Sequence, residues 1–370
     1  MTIQKIPLAE PALIGNERAY VNSCLEDNWI SSSGQYVERF EKAFAEYCNV
    51  KHGLSCSNGT VALHLALLAL GVNPGDEVIV PSLTYVATAN AVTYCGAKPV
   101  FIDSEEVTWN LDPTLIEGLI TKNTKGIIVV HLYGNPVEMD PVLRIASRYG
   151  LFVIEDAAEA HGAEYKGRRV GSIGDISTFS FYGNKIITTG EGGMVLTNND
   201  QLADLIRKLK GQGFDPNRRY YFPIVGYNYR MTNVAAAIGL AQVENIDWHI
   251  RRRYEIAMRY MHRLKELPGL SFQDEKPWTK NVYWMTSIVI GDQHLIDRDD
   301  FMAHLANRGI ETRPFFYPVH LLPMYQNQLE DNQKPVAQKL AARGVNLPSY
   351  AKLTDENIDY ICDQIFEILS

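Results

Sequence analysis

Residues 151–197 read LFVIEDAAEAHGAEYKGRRVGSIGDISTFSFYGNKIITTGEGGMVLT, and the alternation of strands and turns in this stretch decides the fold. Three short runs in it are rich in apolar and β-branched residues and end at turn-forming residues: LFVIED (151–156), DISTFSFY (175–182) and GMVLT (193–197). A run that is apolar almost throughout is typical of a strand that is buried on both faces, as in a parallel sheet.

The same pattern extends toward the N-terminus. DEVIVP (76–81), KPVFID (98–103) and KGIIVVHL (125–132) also indicate strands, and helical patterns lie between the strands at Thr60–Leu70, Ala87–Tyr94, Pro113–Leu119, Pro141–Tyr149 and Leu202–Leu209. Strands that alternate with helices predict βαβ units and an α/β fold with a mostly parallel sheet covered on both sides.

The C-terminal third has a different pattern. From about Asn233 the sequence predicts one long helix, followed by a mixed segment in which VYWMTSIVI (282–290) indicates a strand. We therefore expect a large α/β domain over residues 1–240 and a smaller α+β domain over residues 241–370.

Composition excludes several classes of protein. The chain has 370 residues, 46% of them hydrophobic and 21% charged, and a formal net charge of −8, which argues against disorder and against nucleic acid as a partner. Its longest basic run, Arg251–Arg253, is most simply a solvated helix face. Local amide and Arg/Lys clusters still allow phosphorylated ligands to bind.

Targeting and metal-binding signals are also missing from the sequence. The N-terminal residues lack an unbroken apolar segment, and the longest apolar stretch, at 61–70, is too short to span a membrane. The five cysteines are odd in number and scattered, and the histidines form no metal-binding pair. We expect a cytoplasmic protein with reduced thiols, no metal and no membrane partner.

Chemically active residues follow the predicted strands, where ligands of parallel sheets bind. Tyr85, His131, Tyr133 and Asp156 all lie at or just after strand ends, whereas no dinucleotide fingerprint or P-loop is present. SNGT (57–60) opens a helix, so its backbone N–H groups would form either a phosphate-binding cup or a plain helix cap.

Two further residues complete a recognisable set. Asp156 ends an apolar strand, where it would either cap the next helix or pair with a protonated heteroaromatic nitrogen. Lys185 lies in a turn-rich segment, where it would be either solvated or desolvated and nucleophilic toward a carbonyl. Phosphate cup, strand-end aspartate and downstream lysine are together the anchors that pyridoxal 5'-phosphate requires.

Long segments carry a family resemblance. Residues 57–92, 153–195 and 225–247 resemble the sugar-nucleotide aminotransferases of the DegT/DnrJ/EryC1/StrS family, which depend on pyridoxal phosphate and have fold type I, the aspartate-aminotransferase-like fold. The resemblance covers nearly the whole chain. It implies pyridoxal 5'-phosphate as the cofactor and pyridoxamine 5'-phosphate as its amine-bearing form.

The resemblance also implies roles for individual residues. Lys185 would bind the cofactor covalently as a Schiff base and then act as acid and base. Asp156 would pair with the ring nitrogen, Tyr85 would stack on the ring, and Glu159, where many relatives have glutamine, would lie near the ring hydroxyl. The phosphate would be bound by Asn58, Gly59, Thr60 and Ser180, and by Asn228 of a neighbouring subunit. A homodimer or higher homo-oligomer with shared active sites would follow.

Within the family, residues 29–41, 179–194, 211–214, 226–233 and 310–325 are similar to members that act on GDP-4-keto-6-deoxy-D-mannose. The implied reaction is transamination at C4 with L-glutamate as donor, giving GDP-perosamine and 2-oxoglutarate for O-antigen or other polysaccharide synthesis. Residues that would line the sugar pocket are Ser31, His131, Tyr133, Arg313, Tyr317 and His320.

Three other functions stay open. One is a C4 or C3 aminotransferase for a UDP- or dTDP-linked keto sugar. The second is a 3-dehydratase with the same fold and cofactor, in which a histidine replaces the lysine; Lys185 argues against it. The third is a non-catalytic sugar-nucleotide-binding protein, which the presence of both Lys185 and Asp156 disfavours.

Overall fold

The computed structural model describes residues 5–215, 217–326 and 334–369. Its helices are α1 Glu17–Glu26, α2 Gln35–Tyr47, α3 Gly59–Ala69, α4 Ala87–Tyr94, α5 Ile116–Leu119, α6 Met139–Tyr149, α7 Asp200–Lys210, α8 Asn233–Glu244, α9 Ile246–Leu264, α10 Arg298–Ala306, α11 Pro335–Arg343 and α12 Asp355–Leu369. Its strands are β1 His52–Cys56, β2 Glu77–Pro81, β3 Lys98–Ile102, β4 Thr124–Val130, β5 Phe152–Asp156, β6 Glu164–Tyr165, β7 Arg168–Arg169, β8 Ile176–Ser180, β9 Gly193–Thr197, β10 Leu270–Phe272, β11 Thr279–Lys280, β12 Thr286–Ile290, β13 Arg313–Pro314 and β14 Gly344–Leu347.

A seven-stranded sheet forms the centre of the described structure, in the order β1, β9, β8, β5, β4, β2, β3. The strands from β8 to β3 pair in parallel, and β9 runs antiparallel to both of its neighbours. The predicted mostly parallel α/β sheet is therefore confirmed. Strand β1 was not predicted, because HGLSC has no β-branched residue to indicate a strand.

Side chains of the central strands enter separate apolar clusters on the two faces of the sheet. In β4, Ile128 packs into the cluster that contains α3 and α4, while Ile127 and Val129 pack into the cluster that contains α5 and α6. Because successive residues of a strand point to opposite faces, strands covered on both sides are apolar at every position. The continuous apolar runs in the sequence reflect this burial.

A four-stranded antiparallel sheet, in the order β10, β12, β14, β13, lies in the C-terminal part and packs with α9, α10 and α12. The prediction of a single long helix from Asn233 is wrong, because Asn245 separates α8 from α9. The side-chain amide of Asn245 donates to the Ala241 carbonyl. The strand expected over 282–290 begins only at Thr286, because Tyr283 has a left-handed φ of 45°.

The predicted domain boundary after residue 240 falls inside α8 and stays a prediction. All five cysteines are free and buried, as the reduced-thiol prediction expects. Among the described residues, no helix combines the length and the apolar character that crossing a membrane requires.

Candidate active site

A cavity of about 790 Å³ opens at the carboxyl ends of the central strands. Tyr85 follows β2, Tyr133 follows β4, Asp156 ends β5 and Ser180 ends β8, and all four line this cavity together with Lys185. Parallel strands bring their carboxyl ends to one edge of the sheet, so residues that are far apart in sequence meet there.

Asp156 lies at the base of the cavity and is only 5% exposed. Its Oδ2 accepts a hydrogen bond from the Thr88 hydroxyl at 2.8 Å, and its Oδ1 accepts one from the Ala158 N–H at 3.3 Å. Burial raises the pKa of Asp156, and these two hydrogen bonds and the charge of Lys185 oppose the rise. A buried carboxylate with so few donors is well suited to a cationic ligand group.

Lys185 projects into the same cavity from the turn between β8 and β9. Its Nζ lies 3.7 Å from the centre of the Trp284 ring and 3.8 Å from Glu159 Oε1. The indole N–H of Trp284 donates to the Asn184 carbonyl at 2.7 Å, which fixes the ring beside the lysine. The amine is thus held between an aromatic face and a carboxylate.

Burial is the largest influence on the pKa values of Lys185 and Glu159. It lowers the pKa of Lys185, while the charges of Glu159 and Asp156 act in the opposite direction. Burial raises the pKa of Glu159 to about 7, against the effects of the Lys185 charge and of the hydrogen bond that the Tyr133 N–H donates at 2.7 Å. A lysine with a lowered pKa is nucleophilic closer to neutral pH than a solvated one.

The N-terminus of α3 forms one end of the cavity. The Asn58 side chain caps this helix by accepting a hydrogen bond from the Val61 N–H at 3.0 Å, so the cap interpretation holds for this side chain. Gly59 lies so close to β8 that an added Cβ would be 2.8 Å from the Ser180 Cβ. Gly59, Thr60 and Ser180 line the cavity with unobstructed backbone and hydroxyl groups, where the helix dipole favours an anion.

Aromatic side chains form the opposite wall. Tyr133 and Phe316 have ring centres 5.5 Å apart, and the Tyr133 hydroxyl accepts a hydrogen bond from the Phe316 N–H at 3.3 Å. Tyr85 is 58% exposed and contacts Phe316 with its ring centre 5.7 Å away. Arg313 also lines the cavity, so a cation and several flat apolar surfaces face the same space.

Two histidines predicted for the sugar pocket lie elsewhere. His131 is fully buried, with Nε2 3.2 Å from Glu155 Oε2 and Nδ1 accepting from the Val137 N–H at 3.0 Å. His320 is also fully buried, with Nδ1 in contact with the Ser82 hydroxyl. Hydrogen bonds in the protein interior therefore occupy these rings and separate them from the cavity.

Three other predicted site residues are outside the set that lines this cavity. The Ser31 carbonyl accepts from the Asn233 N–H at 2.6 Å, at the start of α8. Tyr317 is 65% exposed on the surface next to the cavity wall. Asn228 pairs through its backbone with Gly211 and is not among the residues that line the cavity of its own chain. Contacts of these residues with a ligand or with a second subunit stay predictions.

Sequence reasoning missed three residues around Asp156 and Lys185. Thr88, Trp284 and Arg253 contact them, and the interpretation of Arg251–Arg253 as a solvated face is wrong for Arg253, which is only 3% exposed. The helical spacing of buried Ile246, His249, Arg253, Ile256 and Tyr260 in α9 was the signal that would have placed it inside.

Replacing Glu159 with glutamine is expected to weaken the pH dependence of stability in the cofactor-free protein. The carboxyl pKa rises from 4.5 unfolded to about 7 folded, so its stabilising protonation is complete below pH 4.5 and is lost as the pH rises through 7. Between about pH 5 and about pH 8 the wild type should lose about 2.5 kcal/mol more unfolding free energy than the variant.

Denaturant titration of both proteins at each pH measures this difference. Glutamine can still accept the hydrogen bond from the Tyr133 N–H, so this contact is matched, while the titrating carboxyl and its charge beside Lys185 are removed. Parallel stability curves for the two proteins would contradict the buried, proton-holding state of Glu159.

Comparison with known proteins identifies the family. Residues 11–366 match the model of the DegT/DnrJ/EryC1/StrS aminotransferase family. The chain is 52% identical over 368 residues to the GDP-perosamine synthase of Caulobacter vibrioides and 50% identical over 365 residues to that of Escherichia coli O157:H7. Each alignment covers 99% of both chains.

Solved structures give the same result for the fold. The putative sugar aminotransferase Spr1654 of Streptococcus pneumoniae, solved in a PLP form and a PMP form, superposes with TM-scores of 0.93 and 0.94 at 28% identity, covering at least 97% of each chain. DesI, solved in the presence of its TDP-sugar product, superposes with a TM-score of 0.92 at 33% identity and covers 98% of this chain and 92% of its own. The predicted fold and cofactor class are confirmed.

The residues of the cavity fit pyridoxal 5'-phosphate. A helix N-terminus with a glycine that leaves no room for a Cβ suits the phosphate, Asp156 is a buried carboxylate suited to a ring cation, and Lys185 is a desolvated amine. These features lie in one cavity. The solved relatives in the PLP and PMP forms share the fold that holds this cavity. The chain belongs to the DegT/DnrJ/EryC1/StrS aminotransferase family.

Proposed function

We propose that the chain transfers the amino group of L-glutamate to C4 of GDP-4-keto-6-deoxy-D-mannose. The products are GDP-perosamine and 2-oxoglutarate: the donor nitrogen replaces the ketone oxygen of the sugar, which is released as water, and another water molecule supplies the keto oxygen of 2-oxoglutarate. The amino sugar would then enter an O-antigen or another polysaccharide. The alternatives are an aminotransferase for a UDP- or dTDP-linked keto sugar and a 3-dehydratase.

The observation that carries this proposal is the full-length identity of 52% and 50% to two GDP-perosamine synthases. Lys185 supports amination rather than the dehydratase reaction, because its amine lies in the cavity next to Asp156 and Glu159. A member of the fold with a TDP-linked product is less similar, at 33% identity.

The roles of the side chains follow from their positions. When bound, pyridoxal 5'-phosphate supplies an aldehyde that exchanges with amino groups and a ring that withdraws electrons. The N-terminus of α3 with Thr60 and Ser180 would hold its phosphate, Asp156 would hold a proton on its ring nitrogen, and Tyr85 would cover one ring face. The Lys185 amine would hold the aldehyde covalently.

Proton movement falls to the same lysine. With its Nζ not bound to the cofactor, Lys185 would take a proton from one carbon of the substrate and return it to another. The Trp284 ring restricts where the amine can lie, and Glu159, with a pKa of about 7, can hold or release a proton beside it. A positioned general base of this kind contributes about 10² to 10⁴-fold in rate.

We propose that the active unit is a cytoplasmic homodimer, or a higher oligomer, in which Asn228 completes the site of the neighbouring subunit. Two observations support the oligomer. Asn228 does not line the cavity of its own chain, and the segment that precedes it exposes large apolar side chains, with Tyr220 at 75% and Val225 at 86% exposure. Exposed apolar groups of this size are characteristic of a surface that a partner covers.

Mixing two inactive variants tests the shared site. A Lys185→Ala subunit and an Asn228→Asp subunit form, when they exchange, a dimer in which one of the two sites has both native residues. Random exchange of equal amounts should restore roughly a quarter of the wild-type activity. A Lys185→Ala subunit mixed with the double variant has no complete site and is the matched control. No recovery after proven subunit exchange would contradict the proposal.

A comparison of substrates tests the nucleotide assignment. We expect kcat/KM for GDP-4-keto-6-deoxy-D-mannose to exceed that for the corresponding UDP- and dTDP-linked keto sugars by at least about 10²-fold, because a pocket that hydrogen-bonds one base leaves its polar groups unpaired with another. Faster amination of a UDP- or dTDP-linked sugar would leave the proposed transamination intact but would contradict GDP as the nucleotide of the substrate.

A further inference from the structure

Arg253 is a buried cation in the middle of α9, directly behind the lysine of the active site. Its Nη1 donates to the Trp284 carbonyl at 2.6 Å and to the Ser349 carbonyl at 2.9 Å, and its Nη2 donates to the Lys185 carbonyl at 3.3 Å. All three of these acceptors are main-chain carbonyls. The guanidinium therefore joins three segments of the chain at one point.

A guanidinium in this position is costly. Removing a full charge from water is unfavourable unless an opposite charge compensates it, and uncharged carbonyls compensate it only in part. Burial indeed lowers the pKa of Arg253 to about 10. A methionine of similar length would avoid this cost but would leave the three carbonyls without the donor that Arg253 provides.

Two of the three carbonyls belong to the residues that hold the amine. The Lys185 Nζ lies over the Trp284 ring, and Arg253 fixes the main chain of Lys185 and of Trp284 at the same time. The indole N–H of Trp284 donates to the Asn184 carbonyl, so a second hydrogen bond joins Trp284 to the segment that contains Lys185. Lysine and tryptophan cannot separate without breaking bonds to one rigid, planar group.

We infer that Arg253 is a positioning residue for the Lys185 amine: it fixes the main chain that holds this amine against Trp284, and its positive charge favours the uncharged amine. The inference rests on the proposed role of Lys185. The groups that face the amine act in both directions: burial and Arg253 lower the pKa of Lys185, whereas Glu159 and Asp156 raise it. Arg253 thus adds to the larger effect of burial and opposes the two carboxylates, which favour the protonated and unreactive amine.

Labelling of Lys185 in the cofactor-free, full-length enzyme tests the electrostatic part. Acetic anhydride reacts with neutral amines, and mass spectrometry of the peptide that contains Lys185 gives the pH midpoint of labelling. In Arg253→Met the midpoint should rise by about 1 pH unit, so that labelling below the midpoint is about tenfold slower. An unchanged midpoint in a folded Arg253→Met protein would overturn the inference.

Arg253→Lys tests positioning and is available if the methionine variant does not fold. An ammonium keeps the charge but cannot reach three carbonyls, so the labelling midpoint should shift less than in Arg253→Met. Cofactor affinity, measured by absorbance titration, should fall by about tenfold because the amine is less well oriented. Wild-type cofactor affinity in Arg253→Lys would overturn the positioning role.

Arg252→Met is the matched control. Arg252 lies next to Arg253 in α9 and also donates to carbonyls, those of Ala351 and Leu353, but contacts neither Lys185 nor Trp284 among the described residues. Its variant should label and bind cofactor as the wild type does. Borohydride reduction of the loaded wild type separates the two proposals: cofactor fixed to a residue other than Lys185 would contradict the proposed function, whatever the Arg253 variants show.

Discussion

Lys185→Ala is expected to lower the transamination rate by at least about 10⁴-fold. The variant loses the covalent attachment of the cofactor and the base that moves the proton, because both depend on the same Nζ. Its surroundings, Trp284 and Glu159, stay in place, so the protein should fold and retain non-covalent binding of the phosphate. Steady-state assays with glutamate and the keto sugar measure the loss.

A charged replacement and an added amine distinguish chemistry from folding. Lys185→Arg keeps a cation over the Trp284 ring but cannot form the covalent link, and it should be as inactive as the alanine variant. A small primary amine in the buffer should restore part of the activity of Lys185→Ala, since it can replace the missing base. If either variant retained about a tenth of the wild-type rate without added amine, the role of Lys185 as cofactor-binding residue and base would be contradicted.

Asp156→Asn is expected to lower kcat by about 10² to 10³-fold, the usual effect of losing one preorganised electrostatic contact to the reacting group. Asparagine has the same shape and its carbonyl oxygen can still accept from the Thr88 hydroxyl or the Ala158 N–H. What disappears is the negative charge that would keep a proton on the cofactor ring nitrogen.

Thr88→Val is the comparison for this variant. It removes one hydrogen bond to the carboxylate but leaves the charge, so it should reduce kcat by about tenfold or less. The absorbance spectrum of the bound cofactor should change in Asp156→Asn and stay close to the wild type in Thr88→Val. Activity of Asp156→Asn within about threefold of the wild type would contradict the ring-nitrogen role.

Local pattern was sufficient for the parts of the fold that lie in the sheet. Residues 127–130 of β4 and 152–154 of β5 form apolar runs that are largely buried, and Asp156 stands out because it ends the second of these strands. Parallel topology then places every strand end at one edge of the sheet. The positions of Tyr85 and Asp156 at one cavity follow from these features, whereas Lys185 reaches the cavity from the turn between β8 and β9.

Other features depend on contacts between segments that are distant in the sequence, and the local sequence pattern does not predict such contacts. His131 follows a strand, as Tyr133 does, yet the backbone turns so that His131 bonds Glu155 in the interior while Tyr133 lines the cavity. The burial of Arg253 differs from these cases, because the helical spacing of α9 indicates it even though the local charge of Arg251–Arg253 suggests a solvated face. Trp284 reaches Lys185 only through tertiary packing.

The transfer of nitrogen from glutamate to a sugar carbon is visible directly by mass spectrometry. The purified protein is incubated with pyridoxal 5'-phosphate, GDP-4-keto-6-deoxy-D-mannose and glutamate that has heavy nitrogen in its amino group. We expect a GDP-sugar in which an amine with heavy nitrogen replaces the C4 ketone, formed with an equimolar amount of 2-oxoglutarate and absent with Lys185→Ala. A sugar that has lost its C3 hydroxyl without gaining nitrogen, or an unchanged substrate, would contradict the proposed amination.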